Sequence, residues 1–274
     1  MSLSYSAISA FQACPERYRL AYVEKLEKCE EGQEELARNW GSAIHAGLAR
    51  LYKGEGMGAA REAFCAECPS EISQEESVRT RENGLLLLEQ YAHRYQGDQG
   101  WKVLEVEVKE RFELGGVEFT VQLDLVAESL QGAGIFLWDH KTTQKPFSPT
   151  YWAKYEMDEQ ISAYSYWIKR KYGECGGALI NGMQVGYRKR MYKGEPPGFY
   201  AKFERQIFNR SPRQLVQWEA NVGVWAGKIS QAQETGIYGL VPGSLCSYCS
   251  FRELCMSGND EQVREVLYRI KEVR

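Results

Sequence analysis

Two carboxylates and an amine stand close together in the middle of this 274-residue chain: Asp124 and, fifteen residues on, the triplet Asp139-His140-Lys141. Residues of these types suit the hydrolysis of phosphodiesters. That reaction needs a hard cation to neutralise developing charge and present a water nucleophile, and hard cations prefer oxygen ligands such as aspartate, Mg2+ keeping several waters of its own. A neighbouring lysine positions or deprotonates that water, and a metal beside it depresses its pKa, because a second positive charge disfavours the ammonium. Taken alone, a D-x-K triplet is usually a solvent-facing strand end. Here Leu123 and Leu125 flank Asp124, and Ile135, Phe136, Leu137 and Trp138 precede Asp139, so both acids come off apolar stretches. A carboxylate in such surroundings is costly unless it is paired or binds a metal.

Two strands must position these groups. Val117–Val126 and Gly134–Lys141 have strand character, and Gly132 and Gly134 punctuate the link, so the pair is expected to form a hairpin. Alternate residues of a strand share a face, which puts Asp139 and Lys141 together and lets Asp124 meet them from the neighbouring strand. Gln160 and Tyr164, four apart in a helical stretch, share one face of a helix. Near the end of the chain, Cys246-x2-Cys249-x5-Cys255 offers three thiolates, one short of the four that iron-sulfur clusters and structural zinc both use. Cys65-x2-Cys68 could complete a zinc site, and spacing alone does not choose.

Four separate segments resemble the PD-(D/E)XK nuclease superfamily, and more narrowly its RecB-like branch with an iron-sulfur cluster. Gly41-Ser42-Ala43-Ile44-His45 is similar to that branch's G-x-x-x-H helix. Gln122-Leu123-Asp124 followed by Trp138-Asp139-His140-Lys141-Thr142-Thr143 is similar to its two catalytic strands. Gln160-Ile161-Ser162-Ala163-Tyr164 resembles its Q-x-x-x-Y motif, and Cys14-Pro15 with Cys246, Cys249 and Cys255 resembles its cluster ligands. The resemblance spans residues 14 to 255 with its elements in the family's order.

It implies a metal held by His45, Asp124, Asp139 and the backbone carbonyl of His140, with Asp124, Asp139 and Lys141 catalytic. It places Gln160 and Tyr164 beside the DNA path and a [4Fe-4S] cluster on Cys14, Cys246, Cys249 and Cys255. Such a cluster would staple the chain ends, worth about 4–5 kcal/mol on the loop-entropy argument used for disulfides. Cys29, Cys65, Cys68 and Cys175 are then bystanders. One departure is visible. The branch often has a glycine shortly before the first acid, where this chain has Val121-Gln122-Leu123, which puts the usual close packing there in doubt.

The remaining pattern gives an α/β expectation: a restriction-endonuclease-like core with a central mixed β-sheet flanked by helices, an N-terminal helical part, and terminal segments joined by the four cysteines. Helices are expected over Ser4–Tyr22 with a break at Cys14-Pro15, and from Asn39, where Trp40, Ile44, Leu48 and Leu51 recur at helical spacing. Others cover Ala59–Cys68, Glu75–Tyr95, Tyr155–Lys171 and, capped by Ser211-Pro212, a stretch to Glu234. Strands are expected over Lys102–Phe112, Val117–Ala127, Ile135–Lys141, Ala178–Arg188 and Phe199–Phe208. Glu27–Glu35 reads as a loop, and Met1-Ser2-Leu3 is given no structural part. One domain is expected: 1–98 mainly helical, 99–210 the catalytic sheet, 211–274 the last helix and the cysteines.

The formal charge of -3 and pI near 5.8 argue against nucleic-acid binding through overall charge. Local patches remain at Lys169-Arg170-Lys171 and at Arg188-Lys189-Arg190 with Lys193. No stretch reads as a membrane span or secretory leader, so a cytoplasmic protein is expected, and eight cysteines in such a chain are not a disulfide framework. The expectation is a Mg2+- or Mn2+-dependent DNA exonuclease. Lacking a G-x-x-x-x-G-K-[ST] loop, it would act on single strands or ends, or borrow a helicase or an adaptation-complex protein. Free-standing relatives in the resembled branch include CRISPR-adaptation-associated exonucleases, AddB-type nuclease domains and phage proteins. DNA repair, recombination and CRISPR adaptation are therefore all open. The rivals are a non-catalytic DNA-binding or assembly subunit and a zinc-stabilised nuclease acting on RNA.

Overall fold

The structure is a computed structural model that describes residues 2–29, 33–68, 78–191, 194 and 196–271, for 33–36 the backbone only. In chain order the elements are β1 (Ser2–Ser4), α1 (Tyr5–Ala13), α2 (Pro15–Tyr18) running into a π-turn (Arg19–Val23), β2 (Leu26–Lys28), α3 (Gln33–Tyr52), α4 (Gly56–Glu67) and α5 (Arg81–Tyr95). The middle of the chain holds β3 (Trp101–Leu114), β4 (Val117–Ser129), β5 (Ile135–Thr143), α6 (Pro149–Ala153), α7 (Glu159–Tyr172), β6 (Gly177–Arg188) and β7 (Gly198–Phe208). There follow α8 (Pro212–Thr235), a 3-10 turn (Ser244–Tyr248), α9 (Arg252–Met256), α10 (Glu261–Leu267) and β8 (Tyr268–Ile270). The chain divides into two compact units, one of 33–110 and 121–215, the other of 1–32, 111–120 and 216–274.

The larger unit is an α/β layer structure around a mixed sheet, as expected. β4 and β5 pair antiparallel from Glu128↔Ile135 to Leu125↔Trp138, β5 and β6 pair in parallel, and β6 and β7 pair antiparallel from Ala178↔Phe208 to Arg188↔Gly198. The parallel pair needs a crossover, which α6 and α7 supply. On one face α3, α4 and α5 bury Trp40, Ile44, Leu48, Phe64, Leu87 and Leu88 against Met183 and Val185 of β6. Each such side chain contributes about 1.5–3 kcal/mol when removed from water. α7 packs on β5 and β6 through Ile161, Ala163 and Ile168. Val121 and Leu123 are buried, so β4 packs closely without the missing glycine.

The smaller unit has its own core of Leu20, Leu26, Phe251, Leu254 and Tyr268, with Cys249 and Cys255 packed against it. β2 and β8 pair across it. β1 runs parallel to the opening of β4 in the register Leu3↔Phe119, and Leu3 is buried. Ser2 and Leu3, given no part from sequence, thus belong with Ser4 to an edge strand, because Leu3 alternates inward beside two serines, while Met1 lies outside the described residues.

Other expectations shift. Lys28 ends a strand where a loop was expected, and α3 begins at Gln33, ahead of the apolar stripe that starts at Trp40. α5 begins at Arg81, where the Thr80 side chain accepts from Asn83 N–H, and the earlier part of the expected helix, 75–77, lies outside the described residues. Lys193, expected in a basic turn, also lies outside them. α7 begins at Glu159 because Asp158 caps it, accepting from Gln160 N–H, and the preceding aromatic run forms the separate α6. Ser211 and Gln214 cap the start of α8 reciprocally, Ser211 Oγ accepting from Gln214 N–H at 3.2 Å and Gln214 Oε1 from Ser211 N–H at 2.8 Å. Among the described residues no helix is long and apolar enough to cross a membrane.

Gly84 of α5 faces the Phe64 ring, where an added Cβ would lie 2.1 Å from a ring carbon, whereas Gly58 of α4 meets open space. Gly84→Ala should therefore lower unfolding free energy by about 1–3 kcal/mol through overpacking. Gly58→Ala should raise it by about 0.5–1 kcal/mol, both read from urea midpoints.

Candidate active site

The β4–β5 ladder ends one residue before the two acids. There the Asp124 carboxylate takes over from the backbone: its Oδ2 accepts from the His140 N–H at 2.7 Å, and its Oδ1 lies 3.1 Å from His45 Nδ1. His45 follows the fully buried Ile44 on α3 and so stands at the rim of that helix's apolar stripe. Gly41, one turn earlier, allows α3 close to β5, since a Cβ there would come within 3.3 Å of Thr142 Oγ1. Asp139 and Lys141 share the other face of β5, with Nζ 2.8 Å from Asp139 Oδ2. Lys141 also donates to Gln160 Oε1 at 3.5 Å, and Gln160 donates through Nε2 to the Tyr164 hydroxyl at 2.7 Å.

The charges fit this geometry. Burial alone would raise the Asp124 carboxyl, but the His45 charge and hydrogen bond, with help from Lys141, bring it well below the usual carboxylate range. Asp139 is held above its ordinary value by burial and, despite Lys141, by the neighbouring Asp124. His45 is pushed up to about 9: burial works against its charge and Asp124 outweighs burial. Lys141 is held well above the ordinary lysine range, because Asp139 and Asp124 overcome its burial. The charges facing it here are carboxylates, and the depression expected beside a bound metal concerns the loaded site. Glu107, at φ 54° in β3, also falls within the field of Asp124, and partial burial and that charge push its carboxyl up to about 7.

The structure thus brings these residues into two neighbouring contact chains within the larger unit, His45–Asp124–His140 peptide and Asp139–Lys141–Gln160–Tyr164. Tyr164 is buried, and its hydroxyl engages Gln160. Among the described residues no group of three or more His, Cys, Asp or Glu side chains is arranged to hold a metal ion, and each of the two acids contacts a basic side chain instead. In the smaller unit the Cys255 thiol is pushed up by burial and by the nearby Cys249, Glu16, Cys14 and Cys246. The four expected cysteines therefore share one neighbourhood. Cys65 and Cys68 belong to α4 in the other unit.

Sequence reading missed what lies behind His140. Its Nδ1 meets Asn181 Nδ2 at 2.8 Å, so Nδ1 is the acceptor and the ring is neutral, burial holding it down to about 3. Asn181 also donates to the Tyr91 hydroxyl at 2.7 Å and accepts from Arg205 Nε at 3.1 Å. Arg205 pairs with Asp98, and its guanidinium lies 3.4 Å from the centre of the Tyr95 ring. Tyr52 stacks on His140 and donates to Asp98 at 2.7 Å. The available signal was Asn181, a polar residue inside the apolar run Ala178–Val185. Nothing in the sequence joins Arg205 to Asp98. Arg210, equally silent, anchors the start of α7 by donating to Ser162 Oγ and to the carbonyls of Tyr155 and Asp158, each at 2.9 Å.

The profile of the PD-(D/E)XK nuclease superfamily matches residues 2–256. The chain belongs to that superfamily. On this membership the protein is a nuclease. A candidate exonuclease from Eubacterium rectale has a similar solved structure, at 14% identity and a TM-score of 0.54, covering 90% of this chain and 87% of the other. At that identity the likeness is one of fold. The solved structure of SSO0001 is also matched, at 12% identity over 93% of this chain and 85% of that one, with a TM-score of 0.38. No curated protein matches the sequence significantly.

The network behind His140 gives a stability test. Arg205→Met leaves the buried Asp98 carboxylate without its partner and should cost about 3–5 kcal/mol. Asn181→Leu strands His140 Nδ1 and should cost about 1–3 kcal/mol. Denaturant unfolding measures both, and a loss below 1 kcal/mol for Arg205→Met would show that the ion pair is dispensable.

Proposed function

We propose that the PD-(D/E)XK protein is a metal-dependent deoxyribonuclease of one nuclease domain that removes nucleotides from single-stranded DNA or DNA ends. The observation that carries this reading is the contact chain from His45 through Asp124 and the His140 peptide, beside the Asp139–Lys141–Gln160 chain. Asp124, Asp139, the His140 carbonyl and the His45 imidazole are donors that suit Mg2+ or Mn2+. A divalent ion bound by them would supply charge neutralisation at the phosphoryl oxygens and a more acidic water.

The rest is done by the chain's own groups. Lys141, in contact with Asp139, positions or deprotonates the attacking water and balances charge on a non-bridging oxygen. Gln160 fixes the Nζ direction, and Tyr164 fixes Gln160. His45, in contact with Asp124, would have to be neutral to hold such an ion. The pathway is proposed as DNA repair, recombination or CRISPR adaptation, in the cytoplasm and with a helicase or adaptation-complex partner.

For the smaller unit the proposal is a [4Fe-4S] cluster on Cys14, Cys246, Cys249 and Cys255, the thiols that share the surroundings of Cys255. The cluster would join the beginning and end of the chain as a staple, with no electron-transfer role.

Two experiments follow. Purified protein with Mn2+ should degrade single-stranded DNA. Asp124→Asn, which keeps an oxygen for the His140 N–H, and Lys141→Ala should each reduce this to background with an unchanged circular-dichroism spectrum. Activity persisting in both variants would refute the site, and an inactive wild type would favour a DNA-binding subunit. Protein purified without oxygen should be coloured and carry about four irons per chain, with Cys255→Ser losing both. Colourless protein with stoichiometric zinc would replace the cluster by a structural zinc.

A further inference from the structure

Around the end of β5, where the chain turns toward α7, three lysines gather: Lys141, Lys145 and Lys154. Thr143, two residues after Lys141 in β5, bonds the Tyr151 hydroxyl, and the Lys145 N–H donates to Thr143 Oγ1 at 3.0 Å. Lys154, at the end of α6, lays its ammonium over two rings, 4.2 Å from the centre of Tyr151 and 4.5 Å from that of Tyr155. Both rings are buried, so they support the cation from beneath and are not free to stack on a base. Lys145 and Lys154 are exposed, and among the described residues neither is in an ion pair. The carboxylates whose charge reaches Lys154 are already used: Asp139 by Lys141, and Asp158 as the cap of α7. Burial and the charges of Lys141 and Lys145 bring the Lys154 ammonium below its ordinary value.

By contrast, the patch anticipated at Lys169-Arg170-Lys171 is partly neutralised, with Lys171 ion-paired to Glu105 at 2.7 Å. Like charges held together without a counter-charge repel, and that repulsion is relieved by a bound anion. We propose that Lys145 and Lys154 form an anion shelf beside Lys141 that holds the phosphates flanking the scissile one on a single DNA strand. This deepens the nuclease reading and rests on it for the identity of the strand. Recognition is by phosphate charge and is therefore indifferent to base sequence.

The test is binding of labelled oligothymidine in EDTA, where no strand is cut, over a series of salt concentrations. Lys145→Gln and Lys154→Gln should each weaken binding and flatten the plot of log K against log salt by about 0.7 per lost phosphate contact. Lys154→Arg should restore both, and Lys169→Gln should change neither. A purely structural lysine would shift the melting temperature and leave the salt slope alone. In Mn2+ the glutamine variants should raise KM more than they lower kcat. Unchanged salt slopes in both glutamine variants would overturn the shelf, as would a loss seen with duplex and not with the single strand. A wild type that binds with the expected slopes and does not cut would leave the shelf standing and remove the nuclease reading.

Discussion

Two carboxylates largely removed from water, standing where the ladder between two neighbouring strands stops, are the constraint from which the rest of the larger unit follows. Left uncompensated they would repel each other and lose their hydration, a penalty of several kcal/mol per charge. The protein answers with one cation for each. His45 comes to Asp124 from α3, and Lys141 comes to Asp139 from the same strand. The backbone contributes as well, because the β4–β5 ladder stops at Leu125↔Trp138 and leaves the His140 N–H to the Asp124 side chain. Opening the sheet at that point gives up backbone pairing and gains a fixed orientation for the acid. A side chain held by a histidine on one oxygen and an amide on the other has little freedom left, and that preorganisation is what a hydrolytic site requires.

Behind the site, the sheet carries a polar row that crosses three strands. His140 of β5 stands opposite Asn181 of β6, and Asn181 stands opposite Arg205 of β7. Cross-strand neighbours interact directly, so register alone places these three in a line. Arg205 ends the row and is neutralised by Asp98, while Tyr52 and Tyr91 satisfy remaining donors and acceptors. A buried network of this kind is costly when half satisfied and rigid when complete. Here it fixes the tautomer and ring of His140, and hence the peptide whose N–H holds Asp124.

The sheet and its flanking helices were legible in the sequence because apolar periodicity is a local property. The alternation in β4, the unbroken apolar runs opening β5 and β6, and the stripe Trp40, Ile44, Leu48 all say what is covered. The acids, the lysine and His45 were legible through the types and order of their residues. What was not legible depends on partners far apart in the chain: Asp98 and Arg205, Asn181 and Tyr91, Arg210 and the start of α7. The edge strand at Ser2–Ser4 escaped notice for a related reason. Three residues are too few to show a period, and only the register of Leu3 with Phe119 reveals the strand. In the basic run at 169–171, the partner of Lys171 is Glu105, which lies in β3 and is invisible from α7.

The two faces of β5 divide the work. Trp138 and His140 point to the side of α3 and α5, where packing and the polar row hold the strand, while Asp139 and Lys141 point to the side of α7, where Gln160 meets the amine. The period of two makes this division strict: each residue on the chemical face sits between two that are locked on the structural face. A change at His140 or Asn181 therefore reaches Asp139 and Lys141 through the backbone they share, by shifting the peptide between them rather than by touching either charge. Precision at the charged groups is thus a property of the neighbouring, uncharged face. The same alternation explains how a single short strand can be both largely buried and the seat of the sheet's most polar chemistry.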